Sequence, residues 1–564
     1  MDIKLEIAKL IENEETGLSL EEIVQTIEVP KNKEMGDYAF PCFRLAKTFR
    51  KAPNQIASDL ADKLEADFLD KAMAVGPYVN FFVDNSLFAK EVIVKVLEQA
   101  DDYGKSDQGQ GKHIVIDYSS TNIAKPFHIG HIRSTVQGDA IKRIYNHLGY
   151  ETVAINYLGD YGTQFGILLA AYEKWGDKDQ INQDPIKELL KLYVRYNELA
   201  EEDQEAMDVA RAWFRRLEDE DQEALEVWNW FKQISIHEFN RVYDLLGIEF
   251  DSYDGEYYHS KFVPDVVAEL KEKGLLEESD DAMIVSLEEF DMPPAIILKR
   301  DGSSTYITRD IATALKRYRD YHFEKNIYVV GTQQNLHFQQ LIKLIEKMGY
   351  DWADKNEHVA FGMISLKDGT MSTRKGQVVF LEDVLNQSIQ KTLDIMNERN
   401  PDLEDKKTIA KQVGIGAIKF QELFNNRIKD YVFEWDQVLN FDGETGPYVQ
   451  YSHARANSLI NRYGREITSD VDFKRLSSQD EKDLITAIYN LPAVIDQAGQ
   501  RLEPSMVTRQ LVEIAKTFNK FYNSSPIFKS DEETQAARMA LVKATLISLR
   551  LGLNLLGIDA PERM

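Results

Sequence analysis

The residues best suited to chemistry lie between 114 and 148. A short apolar run, Ile114-Val115-Ile116, is followed by a polar loop from Asp117 to Phe127, and then by apolar spacing that predicts a helix from about His128 to Leu148. The loop carries Ser119-Ser120-Thr121-Asn122 and Lys125-Pro126, and the helix opens with His128-Ile129-Gly130-His131. A strand, loop and helix in this order turn free backbone N–H groups and the positive end of the helix dipole toward the loop, which favours a bound anion such as phosphate. Two imidazoles three residues apart share one helix face, and the glycine between them lets a flat base approach the backbone. A single histidine is more often structural; the combination carries the signal.

Other polar clusters fall where such a site needs them. Leu158-Gly159-Asp160-Tyr161-Gly162-Thr163-Gln164-Phe165-Gly166 follows the strand-like run Thr152 to Tyr157, so it belongs on the carboxyl edge of a parallel sheet. Asp254-Gly255-Glu256-Tyr257 offers a carboxylate on a turn. Tyr306 and Asp310, four apart at a helix entrance, can share a face. Gly331 to Phe338 is a polar loop after the strand Ile327 to Val330. Lys367 to Gly376 is a glycine-bounded cationic loop of the kind that closes over phosphates, although a charge cluster alone is usually only a solvated loop. Tyr451 and Arg455 share a helix face, and Phe518, Phe521 and Tyr522 lie near Lys516 and Lys520; such pairs can stack on RNA bases, but helix packing is the more economical explanation.

Composition bounds the rest. A chain of 564 residues has room for two to four domains, and its apolar and charged fractions are those of a folded globular protein. No apolar run approaches bilayer length, and Met1-Asp2-Ile3-Lys4 lacks the start of a secretory signal, so a cytoplasmic protein without membrane partners is expected. The single cysteine, Cys42, excludes an internal disulfide and a cysteine zinc cage. His128 and His131 have no evident third ligand, so no metal site is expected. A formal net charge of -27 argues against sequence-independent coating of nucleic acid but leaves room for one folded RNA on local basic patches.

The expected fold class is α/β, with a Rossmann-type domain at the centre. An N-terminal α+β segment spans 1–110, from an amphipathic helix (Ile3, Ile7, Leu10, Ile11) to the strand-like run Tyr78 to Val83. The central domain spans 111–400. It carries an acidic helical insertion over about 171–294, whose aromatic stripe (Trp213, Phe214, Trp228, Phe231, Phe239) is best taken as core; the sheet is expected to resume at Ala295 to Leu298. The remainder, 401–564, is all-α.

Together these pieces resemble class I aminoacyl-tRNA synthetases, specifically the arginyl-tRNA synthetase family. His128-Ile129-Gly130-His131 matches the HIGH signature, and Met371-Ser372-Thr373-Arg374 stands where KMSKS is found. The strings Ser119 to His128, Leu158 to Gly166, Tyr448 to Arg455 and Ala560-Pro561-Glu562-Arg563-Met564 look like the arginine enzymes in particular. HIGH alone is a modest signal; five ordered matches along nearly the whole chain are strong.

The resemblance implies an ATP-dependent ligase acting on L-arginine and tRNA(Arg), with Mg2+ accompanying ATP, no structural zinc, and a monomer. It also implies an N-terminal domain at the tRNA elbow and a C-terminal anticodon-binding domain. It gives His128 and His131 to the ATP phosphates, Gly130 to the adenosine, and Met371, Ser372, Arg374 and Lys375 to pyrophosphate. Thr373 replaces the second KMSKS lysine, which leaves a charge to be supplied by Lys125 or, as the competing candidate, Lys375. Arginine recognition falls to Glu256 and Asp310 for the guanidinium with Tyr306 beside them, and to Asp117, Asn122 and Gln334 for the amino group. On the tRNA side, Tyr78 and Asn80 match elbow-facing positions, while Tyr451, Arg455, Tyr522 and Met564 match anticodon-facing ones.

The nearest rivals are another class I synthetase, a non-catalytic RNA-binding relative and a generic nucleotidylyltransferase. The lone cysteine disfavours the zinc-holding cysteine enzymes. His131 disfavours the glutamate and glutamine enzymes, which usually lack the second histidine of HIGH. A binding-only relative has no need of intact HIGH and Met371-Ser372, nor a nucleotidylyltransferase of the C-terminal helices.

Overall fold

The apolar run at 114–116 lies at the centre of a sheet in the computed structural model, which describes residues 3–366, 379–435, 439–440 and 443–564. The strands are β1 Tyr38–Pro41, β2 Leu69–Val75, β3 Tyr78–Val83, β4 His113–Asp117, β5 Glu151–Ile155, β6 Glu277–Ser279, β7 Ala282–Val285, β8 Ala295–Leu298, β9 Lys325–Gly331, β10 Asn356–Phe361, β11 Ile364–Leu366 and β12 Tyr431–Phe433. A four-stranded parallel sheet runs in the order β10-β9-β4-β5, with Ile116 opposite both Ile327 and Ala154. Ile114, Val115, Ile116, Ile327 and Val329 are buried, as strands covered on both faces require. The strand order reverses at β4, since β5 pairs on one side and β9 on the other. The Rossmann-type crevice therefore opens at the carboxyl ends of these strands, where the loops after Asp117, Ile155 and Gly331 converge.

The run Ala295–Leu298, expected to rejoin the parallel sheet, instead forms the antiparallel sheet β6-β7-β8. The expected helix from His128 also begins later. Ile129–His131 is a 3-10 turn and the α-helix runs Ile132–His147, with His128 in extended conformation as the cap. The two imidazoles are thus part of the cap and not neighbours on an α-helical face.

Between the two halves of the sheet, the insertion supplies the helices Lys178–Gln183, Pro185–Glu202, Gln204–Glu218 and Gln222–Leu246. Trp213, Trp228, Phe231 and Phe239 are buried there, so the aromatic stripe is core. Asp221 caps the longest helix through the Ala224 amide, and Gly247 closes it in the left-handed region.

The chain forms two compact units. One comprises Met1–Tyr103, Ala456–Asn490 and Lys516–Ser548, and holds the antiparallel sheet β1-β3-β2. Within it the Asp37 carboxylate accepts from the Val83 amide (2.9 Å) and from Lys482 Nζ (2.8 Å), tying the start of β1 to a C-terminal helix. Phe518 and Phe521 are fully buried, as packing predicts. The other unit comprises Gly104–Arg455, Leu491–Ala515 and Leu549–Met564, and holds the parallel sheet.

In this second unit Arg133, the second residue of the helix after HIGH, is wholly buried against Glu422, with Nε 3.3 Å from Oε2. Its Nη1 donates to the carbonyls of Gly362 and Lys429, both at 2.8 Å, which fixes the chain just ahead of β11. Burial pushes the Glu422 carboxyl up to about 8 against the pull of Arg133. Removing this side chain leaves a cavity and takes the neighbouring carboxyl from a buried guanidinium, so Glu422→Ala should lower unfolding stability by about 2–4 kcal/mol. Urea unfolding followed by tryptophan fluorescence checks this; a loss below about 1 kcal/mol would mean the two carbonyls satisfy Arg133 on their own.

Candidate active site

The loop after β4 is held in an uncommon shape. Ser119, Ser120 and Ala124 have φ of 68°, 47° and 58°, left-handed values that cost non-glycine residues energy and persist only where neighbours enforce them. The Ser119 amide donates to Ser134 Oγ (2.9 Å), and the Ser119 hydroxyl meets Tyr243 OH at 2.8 Å. The Ala124 amide donates to Ser235 Oγ (2.9 Å), which pins the loop to the long insertion helix. Asn122 bridges in parallel fashion to Gly159, where a Cβ would lie 1.9 Å from Asn122 Oδ1; only glycine permits that approach.

At the HIGH turn the imidazoles cap one another. The Gly130 amide donates to His128 Nδ1 (3.1 Å), and the His128 amide to His131 Nδ1 (3.2 Å), with ring centroids 3.9 Å apart. Burial holds His128 down to about 4, and burial together with His128 holds His131 down to about 3, so both rings are neutral near pH 7. With Nδ1 of His128 accepting, its ring proton sits on Nε2 as a donor suited to phosphate oxygens, while His131 Nδ1 also lies 3.3 Å from the His128 carbonyl. The Ile129 amide donates to the Val379 carbonyl (3.1 Å) and the Leu381 amide to the Phe127 carbonyl (2.9 Å), so the chain from 379 onward is stitched to the HIGH turn. Met371, Ser372, Arg374 and Lys375 lie outside the described residues.

Lys125 stands beside this turn. Its Nζ donates to Gln164 Oε1 (2.8 Å) and lies 5.4 Å from the ring centroid of Tyr193, on the insertion helix Pro185–Glu202. Gln164 is in the first turn of the helix Thr163–Trp175, so the loop after β5 positions the ammonium.

A second cluster gathers acidic and aromatic groups. Glu256 Oε2 is 3.3 Å from Arg309 Nη2, and the Arg309 guanidinium lies over the rings of Tyr306 (4.7 Å) and Tyr161 (5.2 Å). Burial pushes the Glu256 carboxyl up to about 7; Arg309 pulls it back, while Asp310 and Asp160 push it further. Asp310 Oδ2 accepts from His337 Nε2 at 2.6 Å, and no other hydrogen bond to Asp310 occurs among the described residues. Tyr306 is 64 % exposed and Gln334 is exposed, so both are open to a ligand. The Glu256 turn is built by Asp160, whose Oδ1 accepts from the Tyr257 amide (2.8 Å) and whose Oδ2 accepts from Lys232 (2.8 Å). A Cβ on Gly255 would come within 2.4 Å of the Leu158 carbonyl.

Asp117 is placed differently from Asp310. It is buried, its Oδ2 accepts from Arg317 Nη2 (2.7 Å) and its Oδ1 from the Ser120 hydroxyl (2.7 Å), so both oxygens already have internal donors. Arg317 lies over the rings of Tyr157 and Tyr328, each at 5.5 Å.

Of the surface positions, Tyr78 lies edge-on to the exposed Phe43 (5.8 Å), whereas Asn80 is 2 % exposed with Oδ1 unpartnered among the described residues. Arg455 lies over the Tyr451 ring (4.7 Å), and Tyr451 and Tyr522 are exposed. Met564 packs against the apolar cluster of Met396, Ile409, Ala410 and Val413.

Sequence reasoning assigned no role to Arg309, His337, Gln164 or Arg317. One signal was available, because Tyr306, Asp310, Thr313 and Arg317 recur at four, three and four residues along one face of the helix Tyr306–Tyr321. Each of the last three meets a polar partner: His337, Tyr157 and Asp117.

Among the described residues no group of three His, Cys, Asp or Glu gathers as a metal site, and no helix is long and apolar enough to cross a membrane. Three family models match the chain: tRNA synthetases class I (R), catalytic domain, over residues 92–435; DALR anticodon binding domain over 449–564; and arginyl tRNA synthetase N terminal domain over 2–83. Arginine–tRNA ligases of Halothermothrix orenii and Clostridioides difficile are 53% and 54% identical to it, each covering 100% of both chains. The arginyl-tRNA synthetase structure of Thermus thermophilus superposes with a TM-score of 0.81 at 25% identity, over 95% of this chain and 96% of that one. With catalytic, anticodon-binding and N-terminal models falling in family order around the HIGH turn, the chain belongs to the arginyl-tRNA synthetase family of class I.

Proposed function

We propose that this chain is an arginine–tRNA ligase whose substrates are L-arginine, ATP with Mg2+, and tRNA(Arg). The observation that carries the reading is the guanidinium-matched cluster of Glu256, Asp310 and Tyr306, at the same sheet edge as the paired neutral imidazoles of HIGH. A guanidinium is a planar fork of donors, and carboxylates beside an aromatic face suit it in charge and shape.

In the first step a carboxylate oxygen of arginine attacks the α-phosphorus of ATP. The bond from that phosphorus to the bridging oxygen breaks, and its electron pair leaves with pyrophosphate. Negative charge grows on the α-phosphoryl oxygens and on the leaving group, so fixed donors and cations lower the barrier more than a general base could. His128 serves as an Nε2–H donor with His131 beside it, Lys125 as the cation near the departing phosphates, and Met371, Ser372, Arg374 and Lys375 on the pyrophosphate side. Gly130 leaves room for the adenosine. Asn122 and Gln334 orient the amino group. Asp117 acts through the loop it braces, since its oxygens are already engaged. In the second step the 2′-hydroxyl oxygen of the terminal adenosine attacks the adenylate carbonyl carbon, the bond from that carbon to the phosphate oxygen breaks, and AMP leaves with the electron pair and takes up the hydroxyl proton.

For the tRNA, the half-buried Tyr78, the exposed Tyr451 and Tyr522 and the cation Arg455 are suited to stacking and phosphate contact; the buried Asn80 and the packed Met564 act by shaping those surfaces. Residues 1–110, 111–400 and 401–564 divide these tasks, in a monomeric cytoplasmic enzyme.

The test is ATP–pyrophosphate exchange with tRNA present, screened over all amino acids. Exchange with arginine alone, falling sharply when tRNA is withheld, is the expected result. Exchange driven by another amino acid would overturn the reading.

A further inference from the structure

We propose that His337 is a positioning residue for Asp310, and that its hydrogen bond to that carboxylate sets the affinity for arginine while leaving that for ATP unchanged. This rests on the reading of Asp310 as a guanidinium partner.

Both carboxylates of the cluster already have internal partners, and the partners differ in kind. Glu256 faces the Arg309 guanidinium, a permanent cation held between Tyr161 and Tyr306. Asp310 faces an imidazole, a hydrogen-bond donor in place of a permanent cation. His337 donates Nε2–H to Oδ2 and fixes the carboxylate plane, which leaves Oδ1 without a hydrogen bond among the described residues and turned to a substrate guanidinium.

The ring is placed to do this. His337 lies in the first turn of the helix Asn335–Lys347, directly after the β9 loop, and packs edge-on to Phe338 (5.3 Å). Phe338 in turn lies on His358 (4.4 Å), whose Nε2 meets the Val330 carbonyl at 2.9 Å. The charged and titratable groups that act on this pair are Tyr157 after β5, Glu256 and His259 on the insertion turn, Arg309 on the Asp310 helix, Tyr328 on β9 and His358 on β10. Of these, Glu256, pushed up to about 7, gains a proton on mild acidification, so the His337 variants are compared at pH 8.

The experiment measures KM for arginine and for ATP in tRNA-dependent pyrophosphate exchange between pH 6 and 8.5, for wild type, His337→Gln, His337→Phe, Glu256→Gln and Asp310→Asn. In wild type the arginine KM should rise on acidification as Glu256 gains its proton. His337→Gln keeps an N–H donor, and its arginine KM at pH 8 should stay within about threefold of wild type. His337→Phe removes the donor and should raise the arginine KM about tenfold at pH 8, the order expected for one hydrogen bond to a charged group, with the ATP KM unmoved. The Glu256→Gln profile shows how much of the rise belongs to that carboxyl. The proposal is overturned if His337→Phe leaves the arginine KM unchanged, if both KM values rise together, or if His337→Gln raises the arginine KM as far as His337→Phe does. If only Asp310→Asn shifts the arginine KM, this inference fails and the guanidinium reading stands; if Asp310→Asn shifts nothing, that reading fails too.

Discussion

Lys125→Met should reduce tRNA-dependent ATP–pyrophosphate exchange by about a thousandfold while leaving the arginine KM within a few-fold of wild type. Losing one fixed donor or cation from a phosphoryl-transfer site typically costs a factor of about a hundred to a thousand or more. Thr373 cannot supply the charge that the second KMSKS lysine brings elsewhere in class I. Lys125 is well placed to do so. It follows Ala124, whose left-handed backbone is held by the Ser235 hydroxyl, and its ammonium is directed by Gln164 next to Tyr193. Lys125→Arg, which keeps the charge on a longer and planar group, should recover part of the activity. The competing lysine is tested in the same assay, and near-normal exchange by Lys125→Met alongside a dead Lys375→Met would move the role to Lys375.

How far the site was legible follows from the range of the interactions that build it. The β4 strand and the loop that follows are local in sequence, and the apolar run with its polar sequel located the strand, loop and helix N-terminus at the sheet edge. Tyr306 and Asp310 were legible as a pair because helical spacing alone brings them to one face. The cap at HIGH was misread because caps are normally recognised by Ser, Thr, Asp or Asn, whereas here imidazole nitrogens accept the amide hydrogens. The β8 run was assigned to the wrong sheet because four apolar residues do not reveal the direction of their partner. The hairpin signal lay just upstream, in Asp280-Asp281, whose φ values of 50° and 61° make the two-residue turn between β6 and β7.

What no local pattern could supply are the ion pairs between distant segments. Asp117 reads as a free carboxylate at the carboxyl edge of a sheet, yet Arg317, two hundred residues on, occupies it. Glu256 reads as one of two equivalent guanidinium ligands, but folding brings Arg309 to it and burial raises its proton affinity. The parallel sheet and the residue types of the site were therefore visible in the sequence. The division of labour among the carboxylates was not, because it depends on which internal cation each one meets.

That division leads to the second large effect. Asp310→Asn should raise the KM for arginine by about a hundredfold or more, with the ATP KM within about threefold. Removing one partner of a poorly solvated, hydrogen-bonded charge pair costs about 3–5 kcal/mol, and the asparagine keeps shape and one acceptor oxygen, so the loss isolates the charge. Glu256→Gln should cost less. Its carboxyl is already paired with Arg309, and a group pushed up to about 7 is only partly ionised near neutrality, so the substrate loses less on its removal. The order of the two effects is therefore diagnostic. If Glu256→Gln raises the arginine KM more than Asp310→Asn does, then Arg309 leaves Glu256 when arginine enters, and the substrate guanidinium takes its place between Tyr161 and Tyr306. If Asp310→Asn raises the arginine and ATP requirements equally, Asp310 supports the architecture of the crevice without meeting the guanidinium.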